Sequence, residues 1–178
     1  LAPMAALNKR IQEYWKNTPP VWTYAEPSCK ALERDWVING TPWRSQLPPV
    51  AWDVKSPTFV KDQFMWSPFM DELTLDGARE LIRTFKLGQG EAPDLLAISL
   101  SGNDYVGHRY GTQGPEMCDQ QARLDRQLGR FLSDLEQLGV PFLVVLSADH
   151  GGIDVPERLH TQGLPEAGRV DPIAFAAD

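Results

Sequence analysis

The 178-residue sequence is short of cysteine, of positive charge and of long apolar runs, and each shortage argues against a class of protein. Its two cysteines, Cys29 and Cys118, are too few for a disulfide scaffold and lack zinc-finger spacing. One bridge between them would suit an oxidising compartment and close a long loop; two separate reduced thiols in the core are the alternative. Seventeen Lys and Arg against 24 Asp and Glu leave a net charge of −7 and a pI near 4.9, the opposite of the basic excess of a nucleic-acid surface. No uninterrupted apolar run approaches the roughly 20 residues of a membrane helix. Neither a Gly-x-x-x-x-Gly-Lys phosphate loop nor a Gly-x-Ser-x-Gly elbow is present, against nucleotide-switch and serine-hydrolase readings. The sequence opens at Leu1 without an initiator Met or a basic-then-apolar leader, so it is expected to be a processed product or a piece of a longer chain.

What is present changes character along the chain. Residues 1–68 hold all six Trp and nine of the 15 Pro but a single glycine, Gly40. Leu7, Ile11, Tyr14 and Trp15 are spaced for one helical face. From Pro19 onward prolines keep breaking the pattern, leaving room only for short strands such as Trp36–Asn39. Residues 1–66 are therefore expected to form an irregular region pinned by tryptophans, and residues 67–178 an α/β core. In that core a helical pattern around Leu75, Ala78 and Ile82 stops at Lys86-Leu87-Gly88. The run Asp94–Leu100 reads as a buried strand, Pro115 opens a helix with Leu128, Phe131 and Leu135 on its apolar face, Gly139 ends it, and Pro141–Leu146 reads as a second buried strand. Strand, helix, strand at this spacing predicts a right-handed βαβ unit within a mostly parallel sheet flanked by helices.

Each predicted strand ends in residues that ligate metals. Ser101-Gly-Asn-Asp104-Tyr-Val-Gly-His108 follows the first, and Ser147-Ala-Asp149-His150-Gly-Gly152 follows the second. In open parallel sheets ligands bind beyond the carboxyl ends of the strands, so neighbouring strands would bring both clusters to one crevice. Asp supplies a hard anionic oxygen and neutral His a borderline nitrogen, a mixture suited to zinc or a similar divalent ion. Asp104 and His108, four residues apart, suit one helical turn or a tight loop; the adjacent Asp149 and His150 need an irregular loop, which Gly151-Gly152 permits. Two clusters serve two ions more naturally than one, and two ions about 4 Å apart clamp the attacking and leaving oxygens of a phosphoryl transfer. A capped turn or an exposed hydrogen bond is the simpler reading of either cluster alone.

Asp104-Tyr-Val-Gly-His108-Arg-Tyr-Gly111, followed 45 positions after Asp104 by Asp149-His150-Gly-Gly152, resembles the alkaline phosphatase superfamily, in particular its type I phosphodiesterase/nucleotide pyrophosphatase branch. Ser67–Leu75 and Asp154-Val-Pro-Glu157-Arg158 are similar to the same branch. The resemblance covers residues 64–172 well and residues 1–63 poorly. It implies a metal-dependent phosphoric-ester hydrolase, commonly exported, acting on a phosphate ester or nucleotide-type substrate with two zinc-type ions. Asp104 and His108 would hold one ion and Asp149 and His150 the other. The Thr or Ser nucleophile and further ligands would lie outside this chain, so none of its own residues is expected to be the nucleophile and the chain alone is expected to be inactive. A phosphate or sulfate transferase of the same superfamily, or a non-catalytic metal-binding or interaction domain, is the alternative. Tyr105 and Arg109 are candidates to face substrate, with structural roles the stronger expectation; His160, ten residues after His150, is expected to be exposed or hydrogen-bonded rather than a ligand.

Overall fold

A computed structural model describes residues 2–170. Helix α1 spans Ala2–Asn17, where the early helical spacing predicts it. The chain then runs without regular structure to a 3₁₀ turn, Pro27–Leu32, and a hairpin of β1 (Arg34–Ile38) and β2 (Thr41–Ser45). The strands pair antiparallel with Ile38 opposite Thr41. Asn39 and Gly40 between them both have positive φ, 48° and 75°, which matches the strand twist and which Asn-Gly adopts at little cost. A one-turn helix α2 (Phe59–Asp62) and a 3₁₀ turn (Phe64–Trp66) lead into the helical body. That body consists of α3 (Phe69–Phe85), α4 (Gly102–Tyr110), α5 (Pro115–Gln137) and α6 (Pro156–Thr161).

The helix boundaries follow local chemistry. Lys86 takes the left-handed conformation at φ 51°, and the Leu87 N–H reaches back to the Ile82 carbonyl, so α3 ends in a Schellman-type turn whose left-handed residue lies two positions before the expected glycine, Gly88. Pro115 sits in the first turn of α5, and Gly139 at φ 68° follows its last turn, both as the sequence predicts.

Two cores result. One gathers Trp22, Leu47, Val106, Tyr110 and Met117, with Tyr24, Trp43, Trp52, Trp66 and Phe69 against them. Four of the six tryptophans thus serve as packing for a stretch poor in regular structure. The other joins α3 to α5 through Leu75, Ala78, Ile82 and Phe131. The N-terminal stretch is fastened to α5 by charge and covalently. Asp119, fully buried, accepts the Trp22 indole N–H (3.0 Å) and the Ala25 and Glu26 amides (2.6 and 3.1 Å), and pairs with Arg123. Cys29 and Cys118 form a disulfide beside it.

The expected parallel sheet is not seen among the described residues. Among the described residues the one sheet is the antiparallel β1–β2 pair; the runs 94–100 and 141–146 are extended but unpaired. The first keeps the alternation of a strand: Leu96, Ile98 and Leu100 pack on the α3–α5 core while Leu95 is 94% exposed. The second is open to solvent along its length, with Leu143 89% and Val145 84% exposed. Both runs are apolar on both faces, the composition of strands that need a layer on each side and a partner at each edge. Here α3 and α5 cover one face of the first run and neither face of the second, so pairing these two runs alone would leave outer side chains and outer edges in water. The apolar groove between them, about 710 Å³, is what that open face leaves.

Candidate metal centre

Helix α4 carries the first motif and has little intrinsic reason to be helical, being nine residues long with glycines at 102 and 107. Its ends are held from outside. The side chain of its N-cap residue, Ser101, makes no capping bond. Asp71, fully buried on α3, takes that role: one carboxylate oxygen accepts the Gly102 N–H at 2.8 Å and the other accepts the Gln120 amide of α5 at 2.9 Å. Burial raises the Asp71 pKa, and the hydrogen bonds from Gly102, Gln120 and the Asn103 backbone oppose that rise. A Cβ on Gly102 would come within 2.7–2.9 Å of that carboxyl group, so the approach depends on glycine. At the other end of α4, Arg158 donates to the Tyr110 carbonyl.

On the helix so fixed, Asp104 and His108 stand one turn apart on one face, with Oδ1 and Nε2 3.3 Å from each other. The segment carrying the second motif comes up to the same oxygen: His150 Nε2 lies 3.6 Å from Asp104 Oδ1 and 3.7 Å from Asp149 Oδ2. The four residues singled out in the sequence, 45 positions apart in two pairs, therefore meet. His150 Nδ1 is 2.8 Å from the Gly151 carbonyl oxygen, which can only accept, so Nδ1 carries a proton and Nε2 is the atom turned to the carboxylates. That backbone bond first, then Asp149 and Asp104, holds the His150 pKa above its usual value.

In kind these donors fit a borderline divalent ion. Two imidazole Nε2 atoms face a single carboxylate oxygen, an arrangement that needs protons or a cation between them. In number they fall short: among the described residues no group of three or more His, Cys, Asp or Glu side chains is disposed to hold an ion. The contacts are those of ion pairs, and Asp149 is 90% exposed.

Other candidates lie elsewhere. Tyr105 packs edge-on against Trp66 at 5.3 Å and Arg109 lies over the same ring at 5.7 Å, so both brace α4 on the N-terminal stretch. His160 faces away, exposed and bonded to the Ala167 carbonyl. Sequence reasoning missed the supports. Asp71 reads as an acid in the first turn of its own helix, yet it caps another, and nothing local in the sequence distinguishes the two roles. Asp154 and Arg158 were noticed only as part of the resemblance; their i, i+4 spacing of opposite charges is the signal that could have found them.

Comparison with known proteins places the chain in a family. The family model described as type I phosphodiesterase / nucleotide pyrophosphatase matches residues 5–167, which carries the likeness well upstream of residue 64, where recognisable motifs begin. The chain is 53% identical over 109 residues to alkaline phosphatase PhoD of Zymomonas mobilis, covering 61% of this chain and 19% of that one. It is 45% identical over 108 residues to alkaline phosphatase PhoK of Sphingomonas, covering 61% and 19%. Against alkaline phosphatase PafA of Elizabethkingia meningoseptica it is 30% identical over 166 residues, covering 92% and 29%. A crystal structure of wild-type PafA superimposes with a TM-score of 0.61 at 24% identity over 76% of this chain and 27% of that one, a likeness of fold. The chain thus spans between a fifth and a third of the length of these relatives. With the family model matched over residues 5–167, the chain belongs to the type I phosphodiesterase / nucleotide pyrophosphatase family.

Proposed function

We propose that the protein is a metal-dependent phosphoric-ester hydrolase of the alkaline phosphatase/phosphodiesterase type, and that this chain supplies part of its metal centre. The observation that carries the reading is the convergence of His108 and His150 on Asp104 Oδ1, at 3.3 and 3.6 Å, from segments that meet only in the fold. Asp104 and His108 would hold one zinc-type ion, and Asp149 and His150 the other. Bound there, such ions would supply Lewis acidity toward the phosphoryl oxygens and a lowered pKa for a coordinated nucleophile or water. The chain's own residues bind and orient: Asp71 sets the pitch of α4, and the Nδ1–H bond to Gly151 aims the His150 Nε2.

The Thr or Ser nucleophile and the remaining ligands belong, on this reading, to residues beyond these 178, as does the rest of a mostly parallel sheet in which runs 94–100 and 141–146 would find their partners. Residues 1–66 would form a collar on the 67–178 core. The relatives named alkaline phosphatase suggest phosphate esters as substrates, and the family description, phosphodiesterase and nucleotide pyrophosphatase, suggests nucleotide-type diesters. The Cys29–Cys118 bridge supports an exported protein, because such bonds persist in oxidising compartments.

The test is hydrolysis by the full-length protein of p-nitrophenyl phosphate and bis-p-nitrophenyl phosphate, before and after chelation and on return of zinc. Release of p-nitrophenol that chelator abolishes and zinc restores is expected, and the faster substrate separates monoesterase from diesterase. No metal-dependent release from either ester contradicts the proposal, and would leave the non-catalytic binding domain as the reading in its place.

A further inference from the structure

The two motifs are joined by a buried charge pair that none of the site chemistry uses. Asp154 lies four residues beyond His150, and Arg158 one helical turn further, on α6. Their side chains are 0% and 7% exposed, with Arg158 Nε 3.1 Å from Asp154 Oδ2. The pair is an ion contact and not a hydrogen bond, since neither Asp154 Oδ2 nor Arg158 Nε has a hydrogen-bond partner; each residue makes its hydrogen bonds elsewhere. Asp154 Oδ1 accepts the Thr112 N–H at 2.9 Å, and Arg158 donates to the carbonyl of Tyr110, the last residue of α4. The chain leaving Asp149–His150 is therefore bonded to the end of the helix that carries Asp104 and His108.

The surroundings are built around this pair. A Cβ on Gly111 would collide with Arg158 and Asp154, and one on Gly114 would come within 2.5 Å of Arg158 Nη1, so the 111–114 loop closes over the pair only because it carries no side chain there. The Trp36 ring of the hairpin lies 5.8 Å from the Arg158 guanidinium on another side. The same short helix is tied to the hairpin turn, where the Asn39 N–H donates to Glu157 at 2.8 Å. A fork-shaped, permanently charged donor suits such a junction because it reaches a carboxylate and a backbone carbonyl at once.

We propose that Asp154 and Arg158 are positioning residues that set the placement of the Asp149–His150 segment against Asp104 and His108. In the metal centre proposed above, on which the zinc half of the test rests, they fix the separation of the two ion-binding pairs without touching ion or substrate.

The test uses full-length protein with histidine labelled at Cε1, where the ring signals of His108 and His150 report their mutual placement in the metal-free state at fixed pH. Arg158→Met removes the fork at nearly constant volume, and Leu75→Ala, in the α3–α5 core away from the pair, is the control for loss of stability. Arg158→Met is expected to shift both histidine signals and weaken zinc binding at least tenfold in a chelator competition. Leu75→Ala, even with an equal fall in Tm, should leave the signals in place and zinc affinity within twofold. Should Arg158→Met fail to fold, Asp154→Asn, which keeps an acceptor for Thr112, is expected to move the same signals. Unmoved signals in a folded variant, or equal shifts in the Leu75→Ala control, would overturn the inference. Shifted signals in a protein that binds no zinc in its unaltered form would retain the positioning role and sink the metal reading instead.

Discussion

Two buried acids both have their pKa raised by burial, and they differ in how many donors face the carboxylate. Asp71 meets donors from Gly102, Asn103 and Gln120, which oppose the effect of its burial without cancelling it. Asp71→Ala would strand the Gly102 N–H and the Gln120 amide in the interior, at a cost of about 1–3 kcal/mol, and would remove the cap that makes α4 a helix. Denaturant titration is expected to show that loss, together with reduced hydrogen-exchange protection in residues 102–110; an unchanged midpoint would show that Ser101 can take over. Glu116 has fewer supports. One oxygen accepts the Gln46 N–H while the other is buried without a partner, and burial lifts its pKa from 4.5 to about 7.

The sign of the Glu116 effect follows from its proton. Between pH 4.5 and about 7 the folded chain holds that proton and the unfolded chain does not, so this residue's contribution to stability falls as pH rises through the window and is level above it. Glu116→Gln cannot ionise. Its stability relative to the unaltered protein should therefore climb from pH 4.5 to 7 and then hold, as read by unfolding at a series of pH values. A difference that is flat across the window would contradict the assignment.

At the scale of elements, the disulfide and Asp119 together fasten the Trp- and Pro-rich stretch to α5. The bridge joins residues 89 apart, and chain entropy alone assigns a loop of that length about 4–5 kcal/mol. Replacing both cysteines by serine should lower Tm clearly, and alkylation of the native protein without reductant should find no free thiol; two alkylated cysteines would refute the bridge. Sequence alone left this pairing open, because spacing cannot tell a bond from two core thiols. It gave α3 and α5 within a residue or two, since a periodic apolar face, Pro115 and Gly139 are local signals. Helix α4 was legible only as a helical turn or loop. Its glycines argue against a helix, and what overrides them, Asp71 at one end and Arg158 at the other, comes from residues 31 and 48 positions away from the bonds they make.

For the whole molecule, the two motifs and their approach to each other were legible in the sequence, while the described residues alone form no parallel sheet. Convergence survived because it needs only α4 and the 141–152 segment near each other. Among these residues the run 94–100 packs one face on the α3–α5 core, the run 141–146 is open on both, and neither has a strand partner. In the full-length protein the amides of residues 95–98 and 143–146 should be protected from exchange, having gained edges to bond; rapid exchange there would remove the parallel sheet from the account.

The central claim is that Asp104, His108, Asp149 and His150 surround divalent ions. Anomalous scattering at the zinc edge from crystals of the full-length protein tests it most directly. The account predicts peaks about 2.0–2.2 Å from the Asp104 and His108 side chains and from the Asp149 and His150 side chains. Anomalous density placed elsewhere, or none at these four residues in crystals grown with zinc, would contradict it.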